Sequence, residues 1–334
     1  MLFETPHLSA ADERVLGAID AMRSDLRHQV RNVPLKRQQG LRQALTADAI
    51  AASNSIEGYR LDSRDVEDLL DGEQDVDASD ENKAETLAYQ QMMTYIQSLH
   101  DAPDFSYSKG QLNALHWMLQ GHHGSRKAGQ WRRGAMYVTD PANPRIAAYT
   151  APDGELAPGL MAEFIDWLNE GDLDRPALIR AAMAHLSLVC IHPWPDGNGR
   201  MSRSVQTLLI SREGILAPEF SSIEEWLGRP GNTWEFYKVL ALTGGPVWSP
   251  DRDAAPWIRF ARSPRCTMSL SLACPPLALP ARGGPVRQAG PEGPAGPDGS
   301  RPPPGSPTHP RPLLPPRRRV PVGGPGDGEQ TPAA

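Results

Sequence analysis

The sequence has few cysteines, no long apolar run and no excess of basic residues. Its 334 residues include three cysteines, Cys190, Cys266 and Cys274, whose spacing fits neither a disulfide framework nor a thiolate metal site. No run of about 18 apolar residues occurs, and the N-terminus lacks the basic-then-apolar pattern of a signal peptide. The formal net charge of -6 argues against nucleic acid as the main partner. Together these absences favour a cytoplasmic protein that does not span a membrane.

Proline is concentrated at one end of the chain. Residues 263–334 contain 19 of the 34 prolines, together with much glycine and arginine. Such a composition buries too little apolar surface to offset the loss of chain entropy, so we expect a disordered tail. Glycine has no strict three-residue period, which excludes collagen. Two origins of the tail stay open, a natural extension and a shifted reading frame in a GC-rich gene.

In residues 1–262 the apolar positions recur mainly at helical spacing. Val15, Leu16, Ile19 and Met22 show this spacing within a first helix predicted over residues 9–30. Similar patterns predict further helices at 62–70, 81–100, 110–121, 155–171, 175–191 and 201–214. Residues 129–152 are instead rich in β-prone residues interrupted by DPANP, which predicts a hairpin. The expected fold class is therefore mainly α with one β-hairpin.

A further helix is predicted over residues 45–57. Thr46 is the expected N-cap, because its hydroxyl can accept a hydrogen bond from a backbone N–H of the first turn. Gly58 is the expected stop, because glycine tolerates the left-handed conformation common after a helix.

The segment Ile191–Arg203, IHPWPDGNGRMSR, concentrates polar residues in a short turn. Pro193 and Pro195 should end the preceding helix, and Gly197 and Gly199 allow the backbone to approach a ligand closely. A new helix should begin near residue 198, with its first N–H groups unpaired. A glycine-rich turn that leads into a helix N-terminus is well suited to bind phosphate.

Four side chains add chemistry to this turn. Arg200 and Arg203 lie one helical turn apart and can both reach phosphate oxygens. Asp196 offers a hard oxygen ligand for Mg²⁺, and His192 can accept a proton at neutral pH. The set indicates nucleotidyl or phosphoryl transfer to a hydroxyl group. The alternative is an ordinary capped turn with surface charge, which we consider weaker because every component serves one reaction.

The stretch HPWPDGNGR resembles the signature of Fic (Fido) domain proteins, with Trp194 where phenylalanine is usual. The resemblance implies a Fic-type helical bundle with a β-hairpin flap. It also implies transfer of AMP from ATP, with Mg²⁺ or Mn²⁺, to a Ser, Thr or Tyr hydroxyl of a target protein. The implied site residues are the base His192, the metal ligand Asp196, the anion-hole residues Gly197, Asn198 and Gly199, and the phosphate ligand Arg200.

Two neighbouring segments extend the resemblance. WRRGAMYVTD is similar to the family's flap, which aligns the target by backbone pairing. The implied target contacts are Gly134, Ala135, Met136, Tyr137 and Val138. NTWEFYKVL is similar to a segment that lines the pocket for the base and ribose. The residues implied there are Asn232, Phe236 and Tyr237, although aromatic residues at helical spacing can equally belong to the core.

The stretch SNSIEG resembles the family's inhibitory motif. Ser53 and Glu57 are four residues apart and therefore share one helix face, and Gly58 follows them. By resemblance, Glu57 pairs with Arg203 and displaces the γ-phosphate, and the same carboxylate could align a water that removes AMP. The sequence does not choose between the two directions of reaction.

These interpretations divide the chain into three parts. We predict an N-terminal helical region with the inhibitory motif at 1–104, a Fic domain at 105–262 and the tail at 263–334. Self-modification and a homodimer are implied by the resemblance. Another nucleotidyl or phosphoryl transferase and a non-catalytic regulatory protein stay open as alternatives. His122 and His123 are interpreted as ordinary loop residues, because no matching ligands stand near them in the sequence.

Overall fold

The computed structural model describes residues 1–73, 75–124, 127–139, 147–212, 214, 216–229 and 231–263. Within these residues the fold is mainly helical, with one small antiparallel sheet, as the sequence predicted. The helices are α1 (Ala10–Arg31), α2 (Leu35–Ile56), α3 (Ser63–Leu70), α4 (Asp80–Leu99), α5 (Lys109–Gln120), α6 (Ala157–Glu170), α7 (Ala177–Ile191), α8 (Asn198–Ser211), α9 (Glu224–Leu227), α10 (Asn232–Gly244) and α11 (Ala255–Ala261). The strands are β1 (Tyr137–Thr139) and β2 (Ala147–Thr150), and Pro218–Phe220 form a 3-10 turn. The predicted hairpin tip and, beyond Ser263, the tail lie outside the described residues.

Helix α2 begins well before the helix that the sequence predicted. It starts at Leu35, with Pro34 at the N-cap position, so Thr46 lies inside it and its prediction as the N-cap is wrong. Residues 35–44 are mostly exposed and have no apolar period, although most of them favour helix. A method based on apolar periodicity therefore misses this half of the helix. At the other end Gly58 follows the helix with a φ of 94°, as predicted.

One of the hydrophobic clusters joins the N-terminal helices to the later ones. Ile50 of α2 and Tyr89 of α4 are fully buried in the same cluster as Leu188 of α7 and Leu208 of α8. Because these residues share one core, the helix that carries the SNSIEG motif is held against the helices that flank the polar turn. None of the helices in the described residues is both long and apolar enough to cross a lipid bilayer.

Helices α7 and α8 are the central pair of the fold. Most of α7 is buried and nearly all its residues are apolar, whereas α8 buries polar residues along its whole length. The six residues between them, 192–197, form the polar turn. The turn is therefore anchored at both ends by buried helices.

Candidate active site

The polar turn relies on two residues with left-handed backbone. His192 is the C-cap of α7 with φ 53° and ψ 55°, and Gly197 is the N-cap of α8 with φ 73°. A non-glycine residue with positive φ is uncommon and is often found where function demands it. The reversal at His192 ends α7 abruptly and starts the turn that leads into α8 at Asn198.

The orientation of the His192 ring follows from its partner. Its Nδ1 lies 3.1 Å from the carbonyl oxygen of Val189. A carbonyl can only accept a hydrogen bond, so the neutral ring carries its proton on Nδ1, which leaves the lone pair on Nε2. The structure thus holds His192 in the tautomer that a proton acceptor at Nε2 requires.

Buried Arg132 fixes the backbone at His192. Its Nε donates to the carbonyl oxygen of His192 at 2.7 Å, and its NH2 group donates to those of Ile191 and Pro152 at 3.2 and 2.6 Å. Its NH1 group donates to the carbonyl oxygen of Gly134 at 2.8 Å. One guanidinium therefore connects the end of α7 with the start of the flap segment.

Helix α5 supports the turn through His116. The indole of Trp194 is buried and stacks on the ring of His116, with centroids 4.8 Å apart and planes 5° apart. His116 Nδ1 accepts from Gly129 N–H at 2.8 Å, and its Nε2 donates to the carbonyl oxygen of Asp196 at 3.0 Å. Burial lowers the pKa of His116 to about 4, so the ring is neutral at physiological pH. Trp194 thus anchors the turn on α5.

Asn198 also stabilises the turn. Its Oδ1 accepts from the N–H of Trp194 at 3.0 Å, and its Nδ2 donates to the carbonyl oxygen of Trp194 at 2.8 Å. The side-chain amide of Asn198 is therefore occupied by the backbone of the turn.

The start of α8 combines a helix N-terminus with a carboxylate. Asp196 Oδ1 accepts from the N–H of Gly197 at 2.7 Å, and the side chain is partly exposed. One carboxylate next to a phosphate site is the usual protein contribution to Mg²⁺ binding, because phosphates and waters supply the other ligands. Asp196 therefore fits the metal that the sequence implied.

Arg203 is buried between residues of α2 and α9. Its Nε donates to Ser53 Oγ at 3.1 Å, and its NH2 group donates to Glu57 Oε1 at 3.2 Å. Glu224 lies behind it, with Oε1 3.9 Å from Nε. The structure thus brings together Ser53, Glu57 and Arg203, which the sequence analysis had paired.

The Glu57 carboxylate lies directly over the first turn of α8. A Cβ added to Gly199 would collide with Glu57 Oε1 and approach Arg203 to 3.3 Å. The helix N-terminus favours negative charge at this place. Glu57 therefore occupies the position that the sequence analysis assigned to phosphate.

Arg200 differs from the sequence expectation. It is almost fully buried, and its NH1 group pairs with Glu85 Oε2 and lies 3.4 Å from Asn54 Oδ1. Its guanidinium also lies over the ring of Tyr59, 5.3 Å from the centroid. In this structure the predicted phosphate ligand is held by an internal carboxylate.

The three residues predicted for the base and ribose pocket do not act together. Phe236 is wrong as a pocket residue, because its ring is 1% exposed and packs against His185, Trp257 and Phe260 in the core. Asn232 donates to the carbonyl oxygen of Trp226 at 2.8 Å near the start of α10. Tyr237 is partly exposed, and its hydroxyl donates to the carbonyl oxygen of Ile56 at 3.3 Å. Tyr237 therefore contacts the end of α2 that carries Glu57.

The flap residues form an exposed two-stranded edge. In the sheet, Tyr137 pairs with Thr150 and Val138 with Tyr149, and Met136 accepts from the N–H of Ala151 at 3.0 Å. Thr150 also forms a parallel bridge with Val247, so the far side of β2 is partly covered. Gly134 and Ala135 are exposed. Among the described residues, the edge of β1 is the side open to another strand.

Several residues of the site carried no usable sequence signal. Glu85, Arg132 and Glu224 are charged residues that the fold buries beside the turn or its arginines. Burial raises the pKa of Glu224 despite the charge of Arg203. A buried charged residue can be recognised in a sequence only if the residue that pairs with it is known. The partners of these three residues are far away in sequence. Arg132 was not distinguishable from its neighbour Arg133, although the segment that contains both had been singled out.

Helices around a histidine-containing, glycine-rich turn, with a hairpin beside it, define a Fic-type fold. The model of the Fic/DOC family matches residues 106–210. A crystal structure of a Fic family protein from Desulfovibrio desulfuricans G20 superposes with a TM-score of 0.63, at 23% identity, over 81% of this chain and 76% of that one. Residues 106–210 of this chain therefore form a Fic domain.

Curated relatives are also similar over the folded part. The protein adenylyltransferase Fic of Drosophila willistoni is 33% identical over 208 residues, which cover 61% of this chain and 39% of the relative. The protein adenylyltransferase fic-1 of Caenorhabditis elegans is 26% identical over 214 residues, which cover 63% and 40%. The similar region thus spans about two fifths of the length of these relatives.

Proposed function

We propose that this protein is an adenylyltransferase that transfers AMP from ATP to a hydroxyl side chain of a target protein. The observation that carries the proposal is the position of His192 at the start of the turn that leads into α8, with its Nδ1 held by the carbonyl oxygen of Val189. This arrangement sets a proton acceptor beside a phosphate-binding helix start. The names of the curated relatives point to the same reaction.

The residues of the turn divide the reaction among them. His192 Nε2 takes the proton of the attacking hydroxyl as its oxygen bonds to the α-phosphorus and pyrophosphate leaves. The N–H groups at Gly197 and Gly199 bind phosphate oxygens. Asp196 would hold Mg²⁺ or Mn²⁺, which neutralises phosphate charge when bound. Arg200 stabilises the leaving pyrophosphate. For this its guanidinium has to bind the pyrophosphate together with Glu85, or to release Glu85.

The target is held by the flap in this proposal. An extended target segment adds to the free edge of β1, and backbone pairing with residues 134–138 brings its hydroxyl towards His192. Main-chain recognition of this kind is tolerant of sequence. The target, self-modification, a homodimer and a cytoplasmic location stay predictions from the sequence.

Glu57 is proposed to inhibit the reaction. Its carboxylate lies over Gly199 and pairs with Arg203, so it competes with a phosphate group of ATP for the same helix start. The opposite direction, removal of AMP, would use the same carboxylate to align a water. Its position beside the α8 N-terminus is compatible with both directions.

The test uses ATP labelled at the α-phosphate or at the γ-phosphate. Glu57→Gly should incorporate the α label about 5–150-fold faster than wild type, the range typical of coupling between sites. Adding His192→Ala should reduce that rate by about 10²–10⁴-fold, the usual contribution of a general base. Glu73→Gly, an exposed loop residue between α3 and α4, is the matched control and should behave as wild type.

Three outcomes would contradict the proposal. Transfer of the γ label instead would indicate a kinase. Transfer of neither label by Glu57→Gly would indicate a binding role. Equal rates for wild type and Glu57→Gly, with the α label transferred, would leave the activity in place and remove the inhibitory role.

A further inference from the structure

A histidine pair lies close to Glu85, behind the catalytic turn. His122 and His123 follow the end of α5, and their rings are 3.9 Å apart between centroids. His123 Nε2 lies 2.6 Å from Glu85 Oε1, and His122 Nε2 lies 3.6 Å from the same oxygen. The three ligand atoms all lie within 4.8 Å of one another. Two imidazoles that are adjacent in sequence and a carboxylate that is distant from them thus lie close together.

We propose that Glu85, His122 and His123 bind a divalent transition-metal ion, with Zn²⁺ as the preferred occupant. Two histidines and one glutamate are a donor set that zinc uses in proteins. An ion about 2.0–2.1 Å from each donor holds tetrahedral ligands roughly 3.4 Å apart. The His122–Glu85 distance is already close to that value, and the His123–Glu85 distance has to open by less than about 1 Å.

The accessibility of the three side chains suits an ion that enters from solvent. Glu85 is fully buried, whereas the side chains of His122 and His123 are 21% and 17% exposed. The buried carboxylate provides a fixed ligand, and the partly exposed histidines provide the route of entry. A water on the open side would complete four ligands.

The two carboxylate oxygens of Glu85 face different partners. Arg200 pairs with Oε2 of Glu85, whereas both histidines face Oε1, so the ion and the guanidinium use different oxygens.

The site is chemically distinct from the one at Asp196. Imidazole nitrogens select zinc and similar ions, whereas a lone carboxylate beside phosphates selects magnesium. The proposed zinc site therefore needs neither nucleotide nor catalysis, and it can be tested without reference to the transfer reaction.

The experiment titrates the full chain, stripped of metal and free of nucleotide, with ZnCl₂ against a chromophoric zinc chelator. Wild type should bind one equivalent, and CoCl₂ in its place should give the visible absorption of four-coordinate Co²⁺. His122→Ala and His123→Ala should each weaken Zn²⁺ binding at least as much as the roughly 10–100-fold caused by loss of an outer-shell partner. Both histidines lie at the end of a helix, so these variants avoid the folding risk of replacing Glu85.

Two controls separate this site from others. His28→Ala removes an exposed histidine of α1 and should leave Zn²⁺ affinity unchanged. Asp196→Ala should also leave it unchanged, because that carboxylate belongs to the other site. The proposal is overturned if wild type takes up no zinc, if both histidine variants bind as wild type does, or if Asp196→Ala abolishes binding.

Discussion

At the scale of single residues, the missing side chain of Gly199 leaves room for the Glu57 carboxylate at the start of α8. The N–H of Gly199 belongs to the first turn of α8, and the Glu57 carboxylate fills the space that a Cβ would need. We predict that Gly199→Ala destabilises wild type by about 1 kcal/mol, because the Glu57 carboxylate has to turn away and give up its hydrogen bond with Arg203. In Glu57→Gly the same change should be neutral or stabilise by up to about 1 kcal/mol, because alanine favours helix.

Urea unfolding of the four proteins measures this coupling as a double-mutant cycle. The matched control is Gly17→Ala in α1, where an added Cβ meets nothing within 4 Å. It should have the same effect in both backgrounds. Equal effects of Gly199→Ala in both backgrounds would mean that Glu57 does not lie over the helix start in solution.

The residues that could be predicted from the sequence share a local motif. His192, Asp196 and the two glycines stand within one short turn, and Ser53 and Glu57 stand one helical turn apart. The pairing of Glu57 with Arg203 required the family resemblance, because 146 residues separate them. The pairing of Arg200 with Glu85 had no such guide, since a glutamate in the middle of a predicted helix is normally exposed.

At the scale of elements, α5 supports the turn only while His116 is neutral. Burial lowers the pKa of His116 to about 4 from its ordinary value near 6.5. The unfolded chain therefore binds more protons than the folded one between these values, and stability falls as pH falls through this window. We predict that this group alone costs about 2 kcal/mol between pH 6.5 and pH 5.

His116→Gln isolates this contribution. Glutamine does not titrate and keeps one donor and one acceptor, so the variant should lose less stability than wild type between pH 6.5 and pH 5. Chemical denaturation at the two pH values measures the difference. His28→Ala is the control and should keep the wild-type pH dependence, because His28 is exposed. Parallel pH profiles of wild type and His116→Gln would contradict a lowered pKa of His116 in the fold.

Element boundaries were predictable where apolar periodicity or a cap marks them. Helices α7 and α8 and the turn between them follow directly from Pro193, Pro195 and the two glycines. The first half of α2 did not, because an exposed helix of polar residues has no apolar face to detect. Phe236 was placed in the pocket by analogy with a motif, and the packing of α10 against α11 puts it in the core instead.

At the scale of the whole molecule, occupation of the α8 N-terminus should control how far ATP stabilises the fold. On the proposed function Glu57 competes for this place in wild type, so ATP should raise the free energy of unfolding less in wild type than in Glu57→Gly. In that variant, ATP at about 100 times its Kd should add about 2.7 kcal/mol.

Thermal unfolding with Mg²⁺ and increasing ATP measures this difference as a shift in Tm. Glu73→Gly is the control and should give the wild-type shift. A shift in Glu57→Gly no larger than that of wild type would contradict competition between the carboxylate and the nucleotide.

The packing of α2 decides how the proposed inhibition by Glu57 can be relieved. Ser53, Asn54 and Ile56 are almost completely buried, and an added Cβ at Gly228 would collide with the backbone of Ala52. Detaching α2 would therefore expose these buried residues and disrupt the core. Glu57 itself is the C-cap residue of α2, and its side chain is 17% exposed. Rotation about the side-chain bonds of Glu57 is enough to move its carboxylate away from the start of α8. An activating signal therefore has to move a few atoms at the edge of the site and not the whole of α2.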